Sequence, residues 1–189
     1  MATFVNNLRL KEITTGDEDG TWGTSTNTNL ELVTDGFSFG TKQMSADANE
    51  TFTMPDATAD ATRGFYLKIT SAASLTATRE VTLGPNTVSK VWLIENATTG
   101  GQSITIKQGS GTGVTIPTSQ KTMVITEGTG AGATVLNANP SGSVGSVTSV
   151  GGTGTVNGIS LSGTVTSSGN LTLGGALSGV NLASQVTGT

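Results

Sequence analysis

The chain has 189 residues, of which 34% are hydrophobic and 12% charged, with no cysteine, no histidine and a formal net charge of −4. Without Cys there are no disulfides, no thiolate nucleophile and no Cys-based zinc site, and without His the commonest general base at neutral pH is missing. The acidic balance argues against nucleic acid as partner, since phosphate binding needs a Lys/Arg surface, and no apolar run reaches the roughly 20 residues that cross a membrane.

Low hydrophobicity usually goes with high charge in disordered chains, but here the charge is low as well. Thr, Ser, Asn and Gly take up the difference. Thr favours strands, and Gly and Asn favour the turns between them, so the expectation is an all-β protein of many short strands. The start, Met1-Ala2-Thr3-Phe4-Val5-Asn6-Asn7, has no basic region followed by an apolar core. It does not read as a secretory signal, and assembly in a cytoplasm is expected.

Residues 1–50 read as an N-terminal arm. Leu8, Leu10 and Ile13 alternate with polar residues, and Asp17-Glu18-Asp19-Gly20 is an acidic turn. That turn lacks the longer ligand series, closed by a Glu, of a calcium loop, and reads as solvated. A short helix capped by Thr24 or Ser25 would put Leu30 and Val33 on one face with Glu31 outside. Trp22, in a polar Gly-rich stretch, reads as an anchor on a partner or on an axis between chains. Two readings of the arm stay open: a loose segment with one buried Trp, and a docking arm that uses Trp22, Leu30 and Val33.

Residues 51–139 read as a globular domain. Phe65, Leu67 and Ile69 fall on one face of a strand. Glu80-Val81-Thr82-Leu83 runs into the turn Gly84-Pro85-Asn86. The continuous run Val91-Trp92-Leu93-Ile94 suits a strand covered on both faces, with Trp92 in the core. Ser103 to Lys107, Val114 to Ile116, Thr122 to Thr126 and Thr134 to Asn137 complete the set. Short strands between Gly-rich turns predict an antiparallel β-sandwich or jelly-roll-like domain. Glu80, Glu95 and Glu127 are the only acids after Arg79. A carboxylate pair could cleave glycans, but such residues at strand ends are ordinarily just solvated. The Gly109-Gly111-Gly113 and Gly128-Gly130-Gly132 runs do not match G-x-G-x-x-G and lack a following helix, so they read as hairpin turns. No cofactor, metal or catalytic residue is expected.

Residues 140–189 contain no charged residue and consist almost entirely of Gly, Ser, Thr, Val and Leu. Short echoes recur, as in Gly154-Thr155-Val156 and Gly163-Thr164-Val165. Val156, Ile159, Leu161, Leu171 and Leu173 recur at strand spacing. A flexible Gly/Ser linker has no need for such regularly placed aliphatics, yet they are too few to offset the cost of ordering the segment alone. Neighbouring chains wound about a common axis would supply the rest of the core, giving an intertwined Gly/Thr-rich β shaft with these five residues inside.

Three stretches resemble phage tail fibre proteins, especially those of marine phages. Gly20-Thr21-Trp22-Gly23-Thr24-Ser25-Thr26-Asn27-Thr28-Asn29-Leu30 is similar to an N-terminal motif of such proteins. Trp92-Leu93-Ile94-Glu95-Asn96 through Val114-Thr115-Ile116-Pro117 is similar to their β-rich domain. Val147-Thr148-Ser149-Val150-Gly151 through Gln185-Val186-Thr187-Gly188-Thr189 is similar to their repetitive shaft. The resemblance implies a homotrimer, an N-terminal attachment to another virion protein of tail adaptor, nozzle or baseplate type, and a distal receptor-binding tip. It carries over no catalytic or receptor-binding residue. Because Thr189 falls inside shaft-like sequence, the expectation is either the N-terminal part of a longer fibre or a short fibre completed by another protein. A head fibre or capsid decoration protein is the structural alternative, and a carbohydrate-binding module is the alternative of another class.

Overall fold

The computed structural model describes residues 3–140, 149–156, 159–166, 169–176 and 178–179. Residues 147–148 and 185–189 of the shaft-like stretch lie outside the described residues. The chain divides into two compact units, Met1–Pro140 and Ser141–Thr189. The described fold is all-β apart from one α-helix and one 3-10 turn.

In the first unit, helix α1 (Trp22–Asp35) precedes nine strands. Strands β1 (Phe39–Met44), β3 (Tyr66–Ser71), β5 (Lys90–Asn96), β8 (Lys121–Thr126) and β9 (Val135–Asn137) form a five-stranded sheet in that order. Strands β2 (Glu50–Thr53), β4 (Arg79–Gly84), β6 (Ile104–Lys107) and β7 (Val114–Ile116) form a four-stranded sheet. Up to β6 the chain changes sheet after every strand. Each strand lies parallel to the strand one coil earlier: β1 with β3, β3 with β5, β2 with β4, β4 with β6. Antiparallel pairing begins only where β7, β8 and β9 close the unit.

The expectation of an antiparallel domain is therefore corrected for its first six strands, which wind as a short two-sheet coil. The reason lies in the connections. A Gly-rich segment such as 97–103 has the turn chemistry of a hairpin, but here it carries the chain across to the opposite sheet. Parallel neighbours need a crossover, and a strand of the other sheet serves as one. Gly100 shows how tight this crossing is. It adopts φ +98°, and a Cβ there would meet the Leu75 carbonyl oxygen at 2.2 Å, so only glycine fits without rearrangement.

Both sheets feed one hydrophobic cluster. Leu67 and Ile69 of β3, Val81 and Leu83 of β4, Trp92 and Ile94 of β5, and Ile104 and Ile106 of β6 are all buried in it. Burial follows the period of two that strand geometry imposes. In β5, Trp92 and Ile94 are buried whereas Val91 and Leu93 are only half-buried. The run 91–94 is thus sealed on one face, not on both as its composition suggested. Phe65 lies at the mouth of β3 and is half-buried, while Leu67 and Ile69 are inside.

The buried amides of Asn96 and Gln108 are satisfied at points where the chain changes direction. The Asn96 amide donates to the carbonyls of Gln102 and Ile116, both at 3.0 Å, and its oxygen accepts from the Thr98 hydroxyl at 2.7 Å. Gln108 donates to the Val88 carbonyl and accepts from the Gly128 amide. Satisfied groups of this kind avoid the penalty of an orphaned buried polar atom and fix the bends.

The N-terminal segment belongs to the same unit. The buried Arg63 guanidinium donates to three carbonyls: Leu8 at 2.9 Å, Thr58 at 2.8 Å and Pro55 at 2.8 Å. Arg9 pairs with Asp56 at 2.6 Å, and the Ser89 amide donates to Asn7. Residues 39–44, assigned to the arm by composition, form the edge strand β1.

In the second unit the described strands are short. Strands β10 (Val150–Gly151) and β13 (Thr164–Val165) pair antiparallel. Strands β11 (Thr155–Val156), β12 (Ile159–Ser162) and β14 (Thr172–Gly174) form an antiparallel sheet with β12 in the centre.

Candidate functional site

All three docking candidates lie on α1. The helix starts at Trp22, with Thr21 at its N-cap. The Thr21 side chain does not cap the helix but donates back to the Glu18 carbonyl at 3.3 Å. Trp22 is 62% exposed and Leu30 60% exposed, Val33 is half-buried, and Leu32 is the buried residue of the helix. Positions 30 and 32 are about 200° apart around a helix at 3.6 residues per turn, so they cannot both face the body. Leu32 faces inward, and the sequence pattern that grouped Leu30 with Val33 missed it. The inward side is held by Asn29, which accepts from the Lys11 amide at 3.0 Å and donates to the Lys11 carbonyl at 2.8 Å.

The exposed Trp22 borders a pocket of about 410 Å³ shared with Gly16, Asp17, Glu18 and Asp19. Glu18 forms an ion pair with Lys11, which fastens the acidic turn to the arm. The N-terminal part of α1 therefore presents an indole flanked by carboxylates on the outside of the first unit. This is the reverse of the loose arm with a buried Trp. Among the described residues no three His, Cys, Asp or Glu side chains converge as a metal site would require. No helix among them is long and apolar enough to cross a membrane.

The two sheets carry different outer faces. On the five-stranded sheet, Phe39, Tyr66, Leu93 and Met123 are in cross-strand register and form one row. Val91, Ile125 and Leu136 form a second apolar row, with Phe37 beside Val91 at its near end. A third row, Thr41, Lys68, Glu95 and Lys121, is polar. There the Tyr66 hydroxyl bonds to Glu95, and this bond is the main cause that raises the phenol above its usual pKa. On the four-stranded sheet the outward residues are Thr51, Thr82 and Lys107 in one row and Glu80, Thr105 and Thr115 in another.

These faces also separate the candidate acids. Glu80 lies outside the four-stranded sheet and pairs with Lys107 at 3.3 Å. Glu95 lies outside the five-stranded sheet against Tyr66. Glu127 accepts from the Thr134 amide at 3.2 Å. Two carboxyl groups that flank a glycosidic bond must share one cleft, and Glu80 and Glu95 lie on opposite sides of the core.

At the lower end of the five-stranded sheet, the Lys90 ammonium lies 4.5 Å from the Trp92 ring centre. It donates to the Gly64 carbonyl at 3.0 Å and the Val91 carbonyl at 3.3 Å. Burial, with the nearby Arg63 charge, lowers its pKa to about 8. Trp92 is held from within by its indole N–H, which donates to the Thr62 carbonyl at 3.0 Å. Burial likewise lowers the pKa of Arg63, against the attraction of Asp35, Asp60 and Asp56.

The five shaft candidates are brought together. Val156 pairs with Ile159 and Leu161 with Leu173. Cross-strand partners share a face and residues two apart share a face, so Val156, Ile159, Leu161 and Leu173 lie on one side of the β11–β12–β14 sheet. Leu171, two before Leu173, has the same parity. This side is open within the single chain: Val156 is 74% and Leu173 71% exposed, and Ile159, Leu161 and Leu171 are half-buried.

Comparison with known proteins adds no relative: no family model, no curated protein and no solved structure matches this chain.

Proposed function

We propose that the chain is a structural virion protein without enzymatic activity: a homotrimeric phage tail fibre whose N-terminal region attaches to the tail. Its shaft then projects a distal host-recognition part. The observation that carries this reading is the open aliphatic side of the β11–β12–β14 sheet. Val156, Ile159, Leu161 and Leu173 lie on one side of a thin three-stranded sheet, and Val156 and Leu173 remain largely exposed there. A sheet of that kind needs packing on another layer for stability, and two further copies of the same shaft would provide it. The exposed Trp22 beside the acidic turn supports attachment through α1, because a large aromatic side chain left in solvent is the usual anchor of a protein contact.

The test is to label purified particles with antibody against residues 1–140 and to compare incorporation of the Trp22→Ala protein. Label on the tail and at least a fivefold drop in incorporation, with an unchanged melting curve, are expected. Label on the capsid would favour a head fibre or decoration protein. No label on any particle would sink the virion assignment.

A further inference from the structure

We propose that the outer face of the five-stranded sheet in the first unit is a contact surface between copies of this chain. The inference rests on the oligomeric reading above and deepens it, by assigning a contact outside the shaft.

A sheet that has already buried one face in the core ordinarily turns polar residues outward, as the Thr-rich face of the four-stranded sheet does. The five-stranded sheet instead carries the two apolar rows led by Phe39 and Val91. Its margins are the most open, with Phe37 80%, Phe39 62% and Leu136 47% exposed. Counting the half-buried members at a fraction of the roughly 150–250 Å² of a large side chain, the open apolar area is on the order of 600 Å². That is the upper end of what a soluble monomer leaves uncovered. A standard interface removes about 800 Å² per partner, and homodimer contacts are about 65% apolar, so such a contact needs about 500 Å² of apolar surface. The area available meets that need.

The composition points to a permanent partner of the same kind. Phe, Tyr, Leu and Met are core residues of protein contacts, whereas glycan platforms rely on Trp and Tyr flanked by free polar groups. Two of the polar groups here are engaged, Glu95 by its bond to Tyr66 and Lys121 over the Tyr66 ring, and the row Lys68, Glu95, Lys121 alternates in sign. That row leaves no basic track for an anionic polymer. Another copy of the chain is a partner present as soon as this face forms, and the apolar area matches what such a contact needs.

The chain has no cysteine, which allows a direct test on the full chain. Met123→Cys reports on the apolar face and Thr115→Cys on the opposite one. Maleimide labelling at least tenfold slower at position 123 than at 115 is expected, together with a light-scattering mass that is a multiple of the single chain. Leu93→Lys should abolish the protection and lower the mass or weaken association at least tenfold. Phe39→Ser, on the edge strand and clear of the core, should act in the same direction if Leu93→Lys fails to fold. Equal labelling rates in an oligomer overturn this contact and leave the fibre reading standing. A monomeric chain at every concentration overturns both.

Discussion

The two units use the same alternation of apolar and polar residues and reach opposite results. In the first, Leu67, Ile69, Trp92 and Ile94 of one sheet meet Val81, Leu83, Ile104 and Ile106 of the other, and the core closes within the chain. In the second, Val156, Ile159, Leu161 and Leu173 gather on one side of a three-stranded sheet, with Val156 and Leu173 largely exposed and Ile159 and Leu161 half-buried. A period of two makes a face, but only a second layer makes a core. In the first unit the winding of the chain supplies that layer, because every crossover is itself a strand of the facing sheet. In the second, β11, β12 and β14 make a face without sealing Val156 and Leu173.

The largest expected effect separates the units directly. Trp92→Ala removes the largest buried side chain of the first unit and should cost about 3–5 kcal/mol, measured by denaturant unfolding. Leu161→Ala should leave that same transition unmoved. A comparable loss from Leu161 would mean that the two units share one core.

Arg63→Ala comes next. It leaves the carbonyls of Leu8, Thr58 and Pro55 without their buried donor and should cost about 3 kcal/mol. Hydrogen exchange should show the loss concentrated in residues 3–12, where the arm is released. Uniform loss of protection across β3 to β6 would show that Arg63 supports the coil rather than the arm.

A finer contrast lies within α1. Leu32→Ala should cost about 2–4 kcal/mol by opening a cavity, whereas Leu30→Ala should stay within about 0.5 kcal/mol. Equal effects would contradict the orientation of the helix. The last contrast is a pH dependence and concerns Lys90. Its folded pKa, about 8, lies below the usual lysine value near 10.5. Between these values the unfolded chain binds the extra proton, so stability rises with pH through that window. Below about pH 8 both states are protonated and the contribution is flat. Unfolding of the Lys90→Met protein followed across this range should lack the rise, and a slope equal to that of the native chain would refute burial of the ammonium group.

Much of the fold was legible because it is written locally. The strands around Leu67, Val81, Trp92, Ile104 and Val124 follow from alternation and β propensity. The break near residue 140 follows from the disappearance of charge. The strand spacing of Val156, Ile159, Leu161 and Leu173 is visible in the sequence, and cross-strand partners share the parity of their strands. The orientation of α1 was less legible. Choosing between Leu30 and Leu32 requires knowing which way the helix faces, and that is set by Asn29 binding the Lys11 backbone. The roles of Arg63, Asn96 and Gln108 left no pattern in the sequence either, because each bonds backbone groups whose nearness is created by the winding. The apolar outer rows were also hidden. Phe39, Tyr66, Leu93 and Met123 belong to four different strands and become a row only through register.

What the sequence by itself determined is the all-β class, the strands from β3 to β9, the polar character of the arm and the uncharged, aliphatic-dotted second unit. These depend on residue type and on neighbours a few positions away. Only the tertiary structure decided that the first six strands run parallel across two sheets, that the arm is fastened to the body, and that one outer face is apolar. The physical reason is that a turn sequence encodes where a strand stops but not which sheet the next one joins. That choice is made by core packing and by buried hydrogen bonds between residues distant in the chain.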